Sequence, residues 1–202
     1  MLRKIIQIIV ACGFFLYPVV MYVGLRRYSP RLIAIVLGLG AVGNLLYLQP
    51  TGAHARLLVP VIGTLILCLV SALSNQSMAI LYLPLFISTN FGLSFGYSLW
   101  SPPSIVEVFA RMRGNTLSEE AIRYCRLVTG IWVVFFILNA TVAGLTACCT
   151  KLEIWSLYNG FISYCVIGLL FTTELCYRSW RFRRYVGSPT DSFFRRIFPP
   201  QE

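Results

Sequence analysis

Leu127-Val-Thr-Gly-Ile-Trp-Val-Val-Phe-Phe-Ile-Leu-Asn-Ala-Thr-Val-Ala-Gly-Leu-Thr-Ala-Cys-Cys149 is a run of twenty-three residues without a charge. A hydrocarbon layer of about 30 Å is crossed by roughly 20 apolar residues of helix, so the run reads as one complete passage through a bilayer. Thr150-Lys-Leu-Glu153 then supplies a short polar turn, and 154–177 repeats the pattern with Glu174 as its one charge. Two such runs joined by so few residues form a helical hairpin.

Four more runs of this kind precede the hairpin, at about 5–25, 32–49, 57–74 and 78–100. The composition of the 202-residue chain agrees, with 57% apolar and 12% charged residues, where soluble domains carry about 25% charged. The ten-residue alternating segments of a transmembrane barrel are missing, and continuous apolar runs satisfy their backbone in lipid only as helices. The expected fold is all-α, a polytopic bundle of six transmembrane helices over 1–177, followed by a basic, aromatic cytoplasmic tail over 178–202. Pro18, Pro60 and Pro84 are expected to kink their spans. The first run, preceded by Arg3 and Lys4, is long and lacks a small-x-small cleavage site, so it reads as an anchor.

A net charge of +10 raises the question of nucleic acid in a soluble chain. Here it reports orientation instead, through the excess of Lys and Arg on cytoplasmic loops. With six spans, one side holds Arg3, Lys4, Arg56, Arg111, Arg113, Arg123, Arg126, Arg178, Arg181, Arg183, Arg184, Arg195 and Arg196. The other holds Arg26, Arg27, Arg31 and Lys151. Both termini are therefore expected in the cytoplasm, although the three arginines of the first loop oppose the bias. A merged or re-entrant early span is the alternative.

The one sizeable loop, about 101–126, reads as structured. Ser104-Ile-Val-Glu107 has capping-box spacing. Ile105, Val108, Phe109 and Met112 then share a face, with Glu107, Arg111 and Arg113 turned away, as in a short helix on the cytoplasmic interface. Gly114-Asn115 ends it, and Thr116-Leu-Ser-Glu119 repeats the cap spacing before the fifth span. The loop is either a connector on lipid headgroups or a docking surface for a cytoplasmic protein. The tail interleaves six arginines with Trp180, Phe182, Tyr185, Phe193, Phe194 and Phe198, which suits anionic headgroups at about 1 kcal/mol per positive side chain. Trp100, Trp155 and Trp180 fall at span ends, where interfacial anchors belong.

The polar residues inside the spans are the candidate functional ones. If the hairpin turns near Lys151 and Leu152, residues at equal depth have numbers that sum to about 303. Asn139 then faces the level of Tyr164, with Ser163, Tyr164 or an equivalent on a neighbouring helix as its expected partner, and Thr129 faces the level of Glu174. A buried amide in hydrocarbon needs hydrogen-bond partners, so Asn139 is expected to be structural glue, with ligand contact as the alternative. Glu174 is an intramembrane carboxylate with Arg178 at i+4 and Arg126 at similar depth, which offers an ion pair or a proton or headgroup site. Trp132, Phe136, Asn139 and Ala143 recur at helical spacing, a packing stripe. Gly92-x-x-x-Gly96 and Ala140-x-x-x-Gly144 permit close helix approach, within the chain or between copies, so oligomerisation is open. The cysteines read as small apolar fillers, apart from Cys125, which Arg123 and Arg126 flank.

His54 lacks neighbouring ligands, and no P-loop, G-x-S-x-G elbow or H-E-x-x-H is present. The chain is expected to be non-catalytic, with no metal and no cofactor.

From about Val108 to Arg178 the chain carries Val108-Phe-Ala-Arg111, Tyr124-Cys-Arg126, Val128-Thr129, Trp132, Phe135-Phe136, Asn139, Trp155-Ser-Leu-Tyr-Asn-Gly160, Tyr164, Gly168-Leu-Leu-Phe171 and Glu174. This pattern resembles a bacterial inner-membrane protein family associated with aryl-polyene (xanthomonadin-like) pigment biosynthesis. A fainter similarity, in Val133 to Leu138 and the following hairpin, is to the intracellular septation protein A family, and it implies a cell-envelope maintenance protein as an alternative. The first resemblance implies a companion to acyl carrier proteins, ketosynthases and acyltransferases. It implies no reaction, and it marks Arg111, Tyr124, Arg126, Thr129, Trp132, Asn139, Trp155, Tyr158, Asn159, Tyr164 and Glu174 as candidates. A lipid or acyl-intermediate carrier, with Asn139, Tyr158, Asn159 and Glu174 along a path, is the second reading.

Overall fold

The computed structural model describes residues 21–47, 55–112, 117–183, 197 and 199. Residues 1–20 of the expected first span, Pro18, His54, Arg113 to Thr116 and the tail arginines from Arg184 lie outside them. All regular structure among the described residues is helical. Residues 21–27 are helical, followed by α1 (Pro30–Tyr47), α2 (Ala55–Ser74), α3 (Met78–Leu81), α4 (Leu83–Trp100), α5 (Ile105–Met112), α6 (Glu119–Cys149), α7 (Leu152–Leu157), a π-helical turn (Tyr158–Ile162) and α8 (Ser163–Phe182).

Three helical stretches are long and apolar enough to cross a membrane: Met78–Trp100, Glu119–Cys149 and Leu152–Phe182. They mark the chain as membrane-embedded. Pro30–Val42 and Ile62–Ser74 are shorter apolar helices. Many large apolar side chains on these elements are exposed, among them Leu39, Leu73, Leu93 and Leu169. Hydrocarbon accepts them without the cost that water imposes.

The boundaries follow local chemistry. α2 continues through Pro60, whereas the expected fourth span is interrupted at Tyr82. Pro84, in the first turn of α4, has no N–H to give to Ile80 and its ring crowds that carbonyl, so the helix restarts. α6 begins eight residues before the expected span, at Glu119. At 31 residues it is about 46 Å long, more than the hydrocarbon layer needs. Ser118 caps it, its Oγ accepting from the Ala121 amide at 3.4 Å, while the cap expected at Thr116 lies outside the described residues. Glu119 and Glu120 in the first turn suit the positive end of the helix dipole. α8 likewise continues past Tyr177, the expected end of its span, to Phe182.

The chain divides into two compact units. The first takes in the residues up to Phe91 together with Phe136–Ser163. In it α1 and α2 pack together, and Met21, Ile33, Ala34, Cys68, Ile80, Leu83 and Trp155 form the core. Trp155 was expected at an interface but is only 1% exposed. Its indole N–H donates to the Leu81 carbonyl at 3.0 Å, at the interrupted end of α3. Gly63 lies under the Phe86 ring, so close that an added Cβ would stand 1.8 Å from Cζ.

Three polar contacts gather the connections of this unit. Arg26 pairs with Glu153 and stacks its guanidinium 4.6 Å from the Tyr22 ring centroid. Arg31 Nε donates to the Ala72 carbonyl at 2.9 Å, and its backbone amide donates to Asn75 Oδ1 at 3.2 Å. Two of the three first-loop arginines are thus committed to chain partners.

The second unit comprises Gly92–Phe135 and the residues from Tyr164 onward. Its interior is aromatic: Trp132 lies 4.8 Å from Phe171 and 5.7 Å from Phe135, the latter edge-on. Tyr124 stacks on Tyr177 at 5.6 Å and meets Phe182 edge-on at 5.3 Å. Each such contact adds about 0.5–1.5 kcal/mol beyond its buried area. Gly96 has open space where a Cβ would stand, so the Gly92-x-x-x-Gly96 pattern makes no close approach there; Gly144 does meet a neighbour, Leu85, at 3.5 Å.

Candidate functional site

In the first unit the candidates converge on Asn139. Its Nδ2 donates to Ser88 Oγ on α4 at 2.8 Å. Its Oδ1 accepts from Ser163 Oγ at 2.8 Å and from the Tyr158 hydroxyl at 3.0 Å. Asn139, Ser88 and Ser163 are buried, and three of the four hydrogen-bonding positions of the amide are occupied. Asn139 and Ser163 have numbers that sum to 302, one from the depth pairing expected of the hairpin.

The hydroxyl partner from the aromatic side is Tyr158, five residues from Ser163, and the π turn explains how both reach one oxygen. Over five residues an α-helix turns through about 500°, which leaves positions 158 and 163 roughly 140° apart. The i to i+5 repeat of the π turn brings them toward one face. Asn159, inside that turn, is buried and donates through Nδ2 to the Trp155 carbonyl at 2.9 Å and to Thr146 Oγ1 at 3.4 Å. These donations fix its amide orientation and leave Oδ1 without a partner. Phe136 stacks on Phe91 at 5.3 Å, and Ala143 is fully buried. The arrangement joins α4, α6 and the sixth-span helix of this unit by polar bonds in an apolar medium.

In the second unit Glu174 pairs with Arg178, Nε to Oε1 at 3.3 Å. Arg126 takes a different partner from the one expected. Its Nη2 donates to the Leu99 carbonyl at 3.1 Å, at the end of α4 where carbonyls lack helical partners. Glu120 and Arg181 form a further pair that the spacing alone did not suggest. Thr129 is fully buried and donates to the Cys125 carbonyl of its own helix at 2.8 Å. Cys125 is buried as well, so its flanking arginines do not leave it open to solvent. Tyr164 is half-buried.

α5 presents its apolar face outward, as a helix resting on an interface would. Glu107, on the opposite face, is 5% exposed, and it receives Arg111 through Nε at 2.9 Å and Nη2 at 2.8 Å. Val108, Phe109 and Met112 point outward, the last 77% exposed. The Ser104 to Glu107 capping box is not made: Ser104 Oγ is buried without a partner. Ser98 takes over, accepting from the Ile105 amide at 3.1 Å while donating to the Phe95 carbonyl at 2.7 Å. The helical pattern alone did not show that Glu107, on the charged face, would be covered by the protein. Trp100, 90% exposed, and Trp180 are exposed as interfacial anchors should be.

Among the described residues, no three His, Cys, Asp or Glu side chains lie close enough to hold a metal ion together. The chain matches no family model, no curated protein and no solved structure.

Proposed function

We propose that the chain is a non-catalytic accessory subunit of the bacterial inner membrane, crossing it six times with both termini in the cytoplasm. It holds acyl carrier, ketosynthase or acyltransferase proteins of aryl-polyene lipid assembly through the 101–126 loop and the basic tail, whose arginines also meet anionic headgroups. The family setting rests on the resemblance of the Tyr-Cys-Arg and Trp-x-Leu-Tyr-Asn-Gly blocks.

The observation that favours an accessory subunit over a carrier is the closed bonding around Asn139. A carrier needs Asn139, Tyr158 and Asn159 along an open path, whereas Asn139 and Tyr158 bond each other and Asn159 is buried against Thr146 and Trp155. The outward apolar face of α5 supports a role at the membrane surface, with Phe109 and Met112 in the headgroup layer.

Six alternating spans are supported by the contacts of the first loop. Alternation puts the first, third and fifth loops on one side. Arg26 reaches Glu153 in the fifth, and Arg31 reaches Ala72 and Asn75 at the third.

The test is a photo-crosslinker at position 109 in the native membrane. Capture of acyl-chain biosynthesis proteins is the expected result, abolished when Arg111 and Arg123 are reversed to Glu. Lipid-only adducts, together with a clean preparation in mild detergent, overturn the scaffold role.

A further inference from the structure

α6 ends on two adjacent cysteines, Cys148 and Cys149, both exposed. Successive side chains on an α-helix diverge by about 100°, yet these two sulfurs lie 3.1 Å apart. The end of the helix permits this, since Thr150 is already a bend. The Cys148 thiol also reaches the Leu145 carbonyl at 3.6 Å and interacts with Tyr82. No role in the Asn139 network or the ion pairs accounts for this pair.

A direct bond between the sulfurs fits the site poorly. Disulfides join Cα atoms about 4.4–6.8 Å apart, and neighbouring residues hold theirs at about 3.8 Å. A single larger atom bonded to both sulfurs fits better. With bonds of about 2.3 Å, the length of a metal–thiolate bond, a 3.1 Å separation sets the angle at that atom near 85°. A linear two-coordinate ion cannot span so narrow a bite. A tetrahedral centre needs the sulfurs about 3.8 Å apart. A pyramidal trivalent centre, whose bonds lie near right angles, fits as the side chains stand.

We propose that Cys148 and Cys149 form a chelating site for trivalent arsenic. With arsenous acid, each thiol forms one As–S bond as one As–O bond breaks. The thiol proton leaves with the departing hydroxide, so two waters are released per arsenic. Arsenic stays trivalent and no oxidant is required. The soft thiolates suit this ion, and their exposure at the end of α6 gives it access.

The probe is phenylarsine oxide, added to the reduced full-length protein in detergent and read by intact mass spectrometry. One adduct per chain is expected, reversed by a dithiol and not by a monothiol. Binding should weaken by about 10² or more in Cys148→Ser and in Cys149→Ser, because each leaves a single attachment point. Peptide mapping after maleimide treatment should show those two thiols protected together, while Cys165 and Cys176 remain reactive. That mapping uses the unaltered chain, so it does not depend on a variant folding. Lack of an adduct, an adduct unchanged in either serine variant, or protection of another pair overturns the assignment.

Discussion

Replacing Asn139 by Leu removes three hydrogen bonds at once while keeping a side chain of similar size. Interhelical hydrogen bonds in membrane proteins contribute about 0.6 kcal/mol on average and about 1.7 at most. Three of them amount to about 2 kcal/mol, roughly a thirtyfold change in the folding equilibrium. Orphaned hydroxyls add little to this. Ser88 and Ser163 can fall back on the carbonyl four residues earlier, as Thr141 and Thr172 already do in the exposed parts of their helices. The Tyr158 hydroxyl is part-buried and finds water or headgroups. Unfolding by dodecyl sulfate in mixed micelles, followed by the fluorescence of buried Trp132 and Trp155, measures the loss. The double variant Tyr158→Phe with Ser163→Ala removes both donors to Oδ1. It should couple to Asn139→Leu by about 1 kcal/mol, because two of the three bonds are then deleted only once. A cost below about 0.5 kcal/mol for Asn139→Leu, or strict additivity with the double variant, would refute the network as the element that joins these helices.

Gly63→Ala should destabilise by about 1–3 kcal/mol in the same assay, since its new methyl meets the Phe86 ring, and Phe86→Leu should recover most of the loss. Arg26→Glu and Glu153→Arg should each reduce folded yield only slightly, because so exposed a pair is screened by water, and the double exchange should restore it. Failure of the exchange to restore yield removes the link between the first and fifth loops. Glu174→Arg should be rescued by Arg178→Glu and not by Arg126→Glu, with expression level as the readout. Rescue by Arg126→Glu would place the carboxylate opposite the wrong arginine.

The long apolar helices were legible because lipid imposes one length and one backbone solution, so 78–100, 127–149 and 154–177 could be located from run length alone. Asn139 was legible too: an amide in hydrocarbon demands partners, and hairpin depth pointed to the level of Tyr164, one residue from the Ser163 hydroxyl that bonds it. The π turn left no comparable trace. Tyr158 to Ile162 has no composition that marks it, and its effect, the alignment of Tyr158 with Ser163, depends on Asn159 bonding to the Trp155 carbonyl. Trp155 illustrates a second limit. Tryptophan at the end of an apolar run suits an interface, but it suits equally a buried site with an available acceptor, and the break before Pro84 presents Leu81 as that acceptor. α5 shows a third, since Glu107 is buried while its partner Arg111 stays half exposed, a difference that helical spacing does not encode.

The first-loop arginines join the charge argument to the contacts. Positive residues resist translocation because a cation is costly in hydrocarbon and is attracted to the anionic inner leaflet. In the proposed six-span topology Arg26 and Arg31 lie across the bilayer, and an arginine whose guanidinium is bonded no longer favours return. Arg26 has Glu153 and the face of Tyr22, and Arg31 has the Ala72 carbonyl at a helix C-terminus, where the dipole is negative. Glu153 is the only carboxylate that six spans assign to that side, beside Arg26, Arg27, Arg31 and Lys151. Charge counting treats all arginines alike, and these two oppose it while holding the loops of one end together. Cysteine labelling from the two sides of the membrane separates the alternatives. Labels at 75 and 151 entering from the periplasm while one at position 2 enters from the cytoplasm support the six-span topology, whereas a label at position 2 entering from the same side as 75 and 151 requires the re-entrant early span.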